Sequence, residues 1–539
     1  MNQPVSWNRL FGFFSRGNSL PGGCVKIAVM GLTFLLVTCR VGEAAKAPRS
    51  FTVTVEVDLG RDIGQSFGSL FEIRNSTGRV VAGAGFPDAY NTRFRTGRHR
   101  LQYFIRPDSS DRQFEVERLP HPDLDCGVYL CDVDDEIYAW TSVRNNSVRR
   151  WDRPSRTWVA ELPPGIKTLT SGDGVMRVGS GRLAFSGSTA LFNDRQILDP
   201  PATGRYYNFY YADGHLFFYH VVPGEDQTVT RVYACPWTSQ DSSAIDLSKA
   251  VILTTKYERE TPFVWGQYQT QTLTVSNQGG IYVFSDGAWK TTLEADNTVS
   301  YQVYSGLHWH DRLLLAQYPT GNVFEYQGAA ATRKDGWPPV MPGVSTRARE
   351  CQTLGIYGGD LLAGVWPWAE LWRYDRDATQ WHAMGRMFTH PELTAERTHP
   401  YEEQANRFGL VTNHWGQRVT SMVPLQNSLL IATSAKTPIP WVPKLDFVGN
   451  NAWKEYGSVT RLRAPGHLSV PVKWTDGPTK LRFAIANDAM RVEQDGIPIG
   501  SSSIDGSVID ATGLSTINWG QGAYGAFTGS SLEGSTVSP

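Results

Sequence analysis

Residues 388–417 hold the densest group of side chains suited to acid–base chemistry. The group comprises His390, His399 and His414 with Glu392, Glu396, Glu402 and Glu403. Two carboxylates of different pKa can cut a glycosidic bond, and the distance between them decides the mechanism. The candidate catalytic residues are therefore Glu402, Glu403, His399 and His414. Catalysis, ligand binding and a structural loop remain three open interpretations of this segment.

A metal site has weaker support. His390 and His399 are too far apart in sequence for a pair on one helix, and no HExxH motif occurs. His308 and His310 would share one face of a strand, because side chains repeat every two residues. The two side chains could supply two metal ligands, but the spacing of the sequence indicates no third. We keep them as weak metal candidates and expect no cofactor.

Aromatic residues next to prolines offer a different chemistry. Trp366-Pro367-Trp368, with Tyr318 and Trp337, could form a platform on which sugar rings stack. The same rings would serve equally well as packing between structural elements. The candidate ligand-binding residues are Trp366, Trp368, Trp309, Tyr318 and Arg418.

Several nucleotide and hydrolase motifs are missing. The sequence has no GxSxG elbow, no GxxxxGK[ST] loop and no GxGxxG in a βαβ setting. The sialidase-type Ser-x-Asp-x-Gly-x-Thr-Trp turn is absent too. These absences leave no reaction class indicated by a motif.

Charge and hydropathy exclude several classes of protein and of binding partner. The 539 residues include 51 basic and 52 acidic side chains, which excludes a polybasic nucleic-acid binder, a disordered tail protein and a multi-span membrane protein. Residues 27–39 form an apolar run behind three basic residues, too short for a membrane span and typical of a signal peptide cut after Ala44. An uncleaved anchor and a lipoprotein are the alternatives. The mature chain would carry a net charge of −4 and no transmembrane segment, and it would be periplasmic, extracellular or at the cell surface.

Four cysteines remain after that cut. Cys126 and Cys131 are close enough in sequence to form a disulfide in an oxidising compartment. Their spacing is not a zinc signature, because no second pair or nearby histidine accompanies it. Cys235 and Cys351 are expected to be buried thiols.

The elements that must position these residues are short strands. Between residues 120 and 440 an apolar strand, a polar turn and a second apolar strand recur about every 49 residues in seven copies. The second strands of the copies begin at Glu136, Arg182, His215, Gly280, Arg312, Asp360 and Ser428. Such a period predicts a β-propeller of about seven blades, within a range of six to eight. The spacing varies from 32 to 68 residues, so either the loops differ in length or one copy is misassigned.

The segments before and after the repeats are also predicted to form strands. Residues 51–58 alternate with period two, and residues 481–500 form a hairpin followed by a turn and a short strand. We predict one β-sandwich made of both flanks, with 45–118 and 441–539 as its parts and the propeller at 119–440. Two separate small β-domains are the rival.

The blades loosely resemble kelch repeats at Gly358-Gly359, Tyr374 and Trp381. Residues 481–500 are similar to a laminin-G or concanavalin-like sandwich. Residues 314–326 and 363–374 resemble blades of uncharacterised secreted bacterial proteins that join a propeller to laminin-G-like segments. The resemblance implies an all-β fold and export but brings no catalytic residues.

The sequence thus favours a secreted, non-catalytic protein that recognises extracellular glycan or protein and no nucleic acid. A polysaccharide hydrolase or lyase with its site under residues 388–418, and a structural cell-envelope component, are the alternatives.

Overall fold

The computed structural model describes residues 51–58, 68–86, 89–91, 100–106, 114–504, 514–519, 521–522, 525–526 and 536–538. Within 114–504 it omits 125, 142–146, 163–174, 225–227, 242, 311, 342–343, 345–348, 390–391, 393–400, 409–413, 437–455, 476 and 487–488. The predicted signal peptide lies outside the described residues. Among the described residues, no helix has the length and apolar character needed to cross a bilayer.

The described chain is built almost wholly of β-strands. The first flank contributes β1 (Phe51–Asp58), β2 (Gly68–Asn75), β3 (Val80–Phe86), β4 (Ala89–Asn91), β5 (Arg100–Ile105) and β6 (Glu115–Arg118). Blade 1 is β7 (Tyr129–Val133), β8 (Glu136–Trp140), β9 (Val148–Asp152) and β10 (Thr157–Val159). Blade 2 is β11 (Val175–Val178), β12 (Gly181–Ser186), β13 (Thr189–Phe192) and β14 (Arg195–Leu198).

The next three blades follow the same order. Blade 3 is β15 (Arg205–Ala212), β16 (His215–Pro223), β17 (Thr228–Pro236) and β18 (Val251–Thr254), with a 3₁₀ turn at Leu247–Lys249. Blade 4 is β19 (Pro262–Tyr268), β20 (Gln271–Ser276), β21 (Ile281–Ser285) and β22 (Ala288–Leu293). Blade 5 is β23 (Gln302–Trp309), β24 (Arg312–Tyr318), β25 (Val323–Tyr326) and β26 (Ala331–Lys334).

Blades 6 and 7 complete the propeller. Blade 6 is β27 (Glu350–Tyr357), β28 (Asp360–Trp366), β29 (Glu370–Asp375) and β30 (Gln380–Arg386), followed by α1 (Glu402–Arg407). Blade 7 is β31 (Gln417–Leu425), β32 (Ser428–Ala435) and β33 (Val459–Arg463). Its fourth strand is β6, which pairs with β33 from Arg118 opposite Thr460 to Glu115 opposite Arg463.

The seven sheets are arranged as a ring. The first strands of neighbouring blades contact one another from β19 through β23, β27 and β31, and β31 contacts β7 of blade 1. The fold is therefore an all-β propeller, and seven sheets fall within the predicted range. β6 and β33 belong to this ring, although the sequence analysis assigned both segments to the sandwich.

Turn residues explain the repeat. Asp134 and Asp135 both have positive φ (51° and 65°), as do Asp213 and Gly214 (43° and 71°), which is the backbone that two-residue hairpins require. One predicted copy is wrong: Ile281 lies in the third strand of blade 4, and the second strand is β20. Polar threonines alternate in β20, so its apolar pattern was weaker than that of β21.

Hydrophobic clusters fill the spaces between blades. Trp265 and Phe217 belong to the cluster shared by blades 3 and 4, and Trp372 to the one shared by blades 5 and 6. These rings are buried, so most of the tryptophan surplus serves packing, as predicted.

The two flanks form a sandwich of two five-stranded sheets. The last strands are β34 (His467–Pro471), β35 (Pro478–Ala486), β36 (Ala489–Gln494), β37 (Ile497–Ser503), β38 (Leu514–Trp519), β39 (Gln521–Gly522), β40 (Gly525–Ala526) and β41 (Thr536–Ser538). The strand orders are β37-β36-β35-β1-β41 and β34-β5-β3-β2-β38. β1 pairs with β35 in register Phe51 opposite Ile485, so strands from both ends of the chain share a sheet.

The sandwich packs on the turns that join the first and second strands of the blades. The Gln102 side chain donates to the Ile356 carbonyl at 3.2 Å, and the Ser469 N–H donates to the Gln426 carbonyl at 2.6 Å. Arg100 pairs with Asp135 at 2.6 Å in blade 1. This end of the ring is therefore covered by the sandwich.

Candidate functional site

At the end of the ring opposite the sandwich, the first strand of each blade begins and the second strand ends. The register shows it three times: Gln302 lies opposite Tyr318, Glu350 opposite Trp366, and Gln417 opposite Ala435. Because the blades repeat one topology, these positions come together at the same end, which we call the mouth. The mouth cluster consists of Tyr304, Tyr318, Glu350, Trp366, Arg418 and Lys436.

A buried ion pair joins two neighbouring blades at the mouth. The Arg418 guanidinium, on β31, donates from Nε and Nη2 to both Glu350 oxygens at 2.8 and 2.9 Å. Glu350, the first residue of β27, is fully buried. Burial opposes the charge on Arg418, but the Glu350 carboxylate and its hydrogen bonds, with contributions from the neighbouring Tyr304 and Tyr129, together raise the Arg418 pKa. Both charges are therefore held in place and matched to each other.

Lys436 is a second cation at the mouth, and its partners are aromatic. Its Nζ lies 4.0 Å from the Trp366 ring centroid and 4.8 Å from that of Tyr318. Such cation–π contacts are attractive, and stronger where water is excluded. Burial lowers the pKa of Lys436; the Glu350 charge works against this shift and the Arg418 charge adds to it. No ion pair joins Lys436 to a carboxylate in the part of the chain that the structure describes.

Half-buried aromatic rings extend the mouth toward blades 4 and 5. Tyr304 lies 5.7 Å from the Arg418 guanidinium carbon and 5.7 Å from the ring of Phe263. Burial, with the Glu350 charge, raises the pKa of Tyr318, so this phenol stays neutral at ordinary pH. Tyr304, Tyr318 and Lys436 are all partly exposed. The Tyr304 hydroxyl donates to the Gln302 side chain at 2.6 Å, so the hydroxyl of Tyr318 and the ammonium of Lys436 are the groups offered to a ligand.

The central channel below the mouth is filled by a segment of the first flank. β4 adds to the inner edge of blade 5, with Tyr90 opposite Gly306 and Ala89 opposite Leu307. The Ser305 hydroxyl donates to the Tyr90 carbonyl at 3.1 Å. From Gln302 to Ser305 the strand rises by about 10 Å. Among the described residues, β4 therefore forms the floor of the mouth.

Two predicted ligand-binding residues lie inside the protein instead. Trp309 is buried between blades 5 and 6, with its ring 6.0 Å from that of Tyr374. Trp368 is fully buried in the cluster between blades 6 and 7. Trp366 lies at the mouth but is itself fully buried, so it supports Lys436 and presents no platform of its own. Of the five predicted residues, Tyr318, Trp366 and Arg418 come together.

The predicted metal pair lies at the sandwich end. His308 is buried, and burial lowers its pKa to about 4. His310 has left the strand, with a φ of 49°, and its Nδ1 lies 3.4 Å from a Glu72 oxygen. The described residues contain no group of three or more His, Cys, Asp or Glu side chains that could hold a metal ion.

The acidic segment before blade 7 is a packing element where it is described. Glu402 is buried on α1 and accepts a hydrogen bond from the Trp368 indole at 2.5 Å. Glu403 is exposed, and His414 is partly exposed at the end of the segment. His399 lies outside the described residues, as do His390 and Glu396. The helix α1 ends at Arg407, and Phe408 is its C-cap.

The predicted disulfide is absent: Cys126 and Cys131 are both buried thiols. Their surroundings keep them apart. Cys131 packs in the cluster between blades 1 and 2, whereas the Cys126 carbonyl accepts from the Ala435 N–H of blade 7 at 2.9 Å. Sequence proximity alone did not reveal that the two are anchored to different neighbours.

The sequence analysis missed Glu350, Lys436 and Tyr304. Glu350 is the first residue of one strand and Lys436 follows the last residue of another, and no composition signal marks either position. What the three residues share is their position in the strand register: counting residues along each strand from its predicted hairpin turn places them at the mouth, opposite the sandwich.

Comparison with known proteins gives structural likeness only. No protein-family model matches the chain, and no curated protein matches its sequence. Solved structures that resemble it include YCF48 bound to D1 peptide, with a TM-score of 0.35, 10% identity, and coverage of 67% of this chain and 99% of that one. BamB from Moraxella catarrhalis gives a TM-score of 0.30 and 10% identity over 76% of this chain and 97% of its own.

A third similar structure is the extracellular domain of BT4673 from B. thetaiotaomicron. Its TM-score is 0.36 at 10% identity, and the match covers 64% of this chain and 39% of that one. These scores are low, and the propeller is defined by the strand order of this chain itself.

Proposed function

We propose that the chain is an exported, non-catalytic recognition protein that binds an extracellular glycan or protein at the mouth of its propeller. The observation that carries this proposal is Lys436, an ammonium packed on two aromatic rings without a described carboxylate partner. An acidic group of a ligand would supply the missing counter-charge. Tyr318 would contribute its hydroxyl group beside it, and Tyr304 its ring.

The chemistry of the mouth favours binding over turnover. Its single described carboxylate, Glu350, is buried and held by both of its oxygens. Hydrolysis of a glycosidic bond needs two carboxyl groups that reach the substrate. Glu402, the strongest catalytic candidate, is buried against Trp368 and so serves packing. The enzyme alternative has no geometric support among the described residues.

The test is a binding and degradation screen on an array of acidic and neutral glycans. The Lys436→Met variant keeps the length of the side chain and removes its charge. We expect it to weaken binding of acidic ligands about tenfold, the effect of losing one partly desolvated ion pair. Affinity should also fall as pH rises through the Lys436 pKa, which lies below the ordinary 10.5.

Lys256→Met is the matched control. Lys256 also lies over a tyrosine ring, at 5.1 Å from Tyr257, but it is exposed on blade 3. This variant should bind like the wild type. Release of reducing ends, or equal binding by the Lys436 variant and the wild type, would contradict the proposal.

A further inference from the structure

A second concave region lies at the other end of the ring. It is a cleft of about 480 Å³ between the sandwich and blades 1 and 2, within the range of roughly 300–1,000 Å³ usual for ligand sites. Its walls come from the end of β34, the start of β37 and the turns after β7 and β11. β4 and the ring separate it from the mouth, so it would act independently.

The charges of this cleft do not balance. Its acidic side chains are engaged: Asp132 and Asp135 both pair with Arg100, and Asp134 lies 3.8 Å from Arg182. Two lining cations, Arg177 and Lys473, have no carboxylate partner in the described part of the chain. The cleft therefore presents two unmatched positive charges.

One wall is the open edge of a sheet. β37 is the last strand of its sheet, and the three consecutive residues Ile497, Pro498 and Ile499 all line the cleft. The pairing of β36 with β37 shifts register at Ile499, and such an irregularity lets neighbouring residues of an edge strand line the same cleft. β37 carries no charged residue, and Ile497 is 63% exposed. Edge strands without charges pair readily with another chain.

The lining also discriminates between ligand classes. The residues described around the cleft include no aromatic ring, so it offers no stacking platform for a sugar. Its apolar part is aliphatic, from isoleucine, valine, proline and methionine side chains. Aliphatic contacts, unmatched cations and an open strand edge together suit an extended polypeptide with alternating acidic and aliphatic side chains.

We propose that this cleft binds an extended acidic peptide segment of a partner protein, which pairs with β37. The added strand pairs with β37 where it lines the cleft, at Ile497 and Ile499, because Pro498 has no N–H to donate. Its acidic side chains face Arg177 and Lys473, and its aliphatic side chains pack on Ile497. This binding is separate from recognition at the mouth.

The test measures fluorescence anisotropy of labelled hexapeptides with protein produced from the full sequence. The probe alternates glutamate and valine; a second peptide has lysine for glutamate, and a third has alternate backbone nitrogens methylated. We expect saturable binding of the first peptide below about 1 mM and at least tenfold weaker binding of the other two. Methylation separates strand pairing from charge attraction alone.

Variants locate the site. The double variant Arg177→Glu/Lys473→Glu should weaken binding of the acidic peptide about tenfold or more and favour the lysine peptide. Ile497→Asp, at an exposed position, should weaken it without affecting folding, as judged by an unchanged melting temperature. Lys290→Glu on blade 4 is the charge control, and Lys436→Met at the mouth should leave peptide affinity unchanged.

Three results would overturn the proposal. They are no saturation by the acidic peptide at about 1 mM, equal binding of the methylated peptide, and equal binding by the cleft variants and wild type. Loss of peptide binding in Lys436→Met would place the peptide at the mouth and overturn it as well.

Discussion

Replacing Glu350 by glutamine should destabilise the protein strongly, because it removes one member of a buried ion pair. Glu350 is fully buried and the Arg418 side chain is 7% exposed, so water cannot solvate the remaining guanidinium. Leaving a buried charge without its partner costs about 3–5 kcal/mol. Glutamine still accepts one hydrogen bond, so we expect about 3 kcal/mol, the lower end of that range.

The second cation of the cluster makes the prediction more specific. Glu350 raises the pKa of Lys436 while Arg418 lowers it. Without the Glu350 charge, the pKa of Lys436 should fall further, because only the lowering influences of burial and Arg418 remain. The variant should thus lose acidic ligands at a lower pH than the wild type does.

A double-mutant cycle in urea, followed by tryptophan fluorescence, measures the pair directly. Glu350→Gln/Arg418→Met replaces both charges and should recover about 2 kcal/mol relative to the sum of the single variants. The control is Glu493→Gln, which breaks the exposed pair with Arg482 and should cost less than about 1 kcal/mol. A Glu350 variant as stable as this control, or a strictly additive cycle, would refute the reasoning.

Three further outcomes follow from other contacts. Glu402→Leu should lower the free energy of unfolding by about 1–3 kcal/mol, because the buried Trp368 N–H loses its acceptor. Glu403→Leu, at the exposed neighbouring position, should change it by less than about 0.5 kcal/mol, and equal urea midpoints for the two variants would contradict this. Glu117→Lys should lower the free energy of unfolding by about 1–2 kcal/mol, because it replaces the ion pairs of β6 with blades 7 and 1 by repulsion. An unchanged urea midpoint would count against β6 as the fourth strand of blade 7. Reductant should leave the melting temperature unchanged, and the thiols of Cys126, Cys131, Cys235 and Cys351 should react only on unfolding; labelling of only two of them would indicate a disulfide.

The propeller was predictable from the sequence because its hairpin turns contain residues typical of such turns. Two-residue turns with positive φ need Asp, Asn or Gly, and Asp134-Asp135 and Asp213-Gly214 supply them. That the two flanks form one sandwich was inferred from strand patterns at both ends of the chain, and the register of Phe51 opposite Ile485 was not. β4 and β6 were not foreseen, because strands of three and four residues carry no periodicity of their own.

The site was only partly predictable for a related reason. Tyr318, Trp366 and Arg418 stood out by residue type, but Trp309 and Trp368 have the same type and are buried between blades. A tryptophan in a blade looks the same in sequence whether it faces a neighbour or the mouth. The difference lies in which strand the residue ends: Trp366 is the last residue of a second strand, at the mouth, whereas Trp309 is the last residue of a first strand, at the sandwich end.

The sandwich and the ring depend on each other for folding. β4, which leaves the sandwich after β3, fills the channel, and β6 completes blade 7 before the chain enters blade 1. A ring without the first flank would therefore lack both its floor and its closing strand. The peptide cleft lies beyond that floor, so occupancy of one site does not block entry to the other.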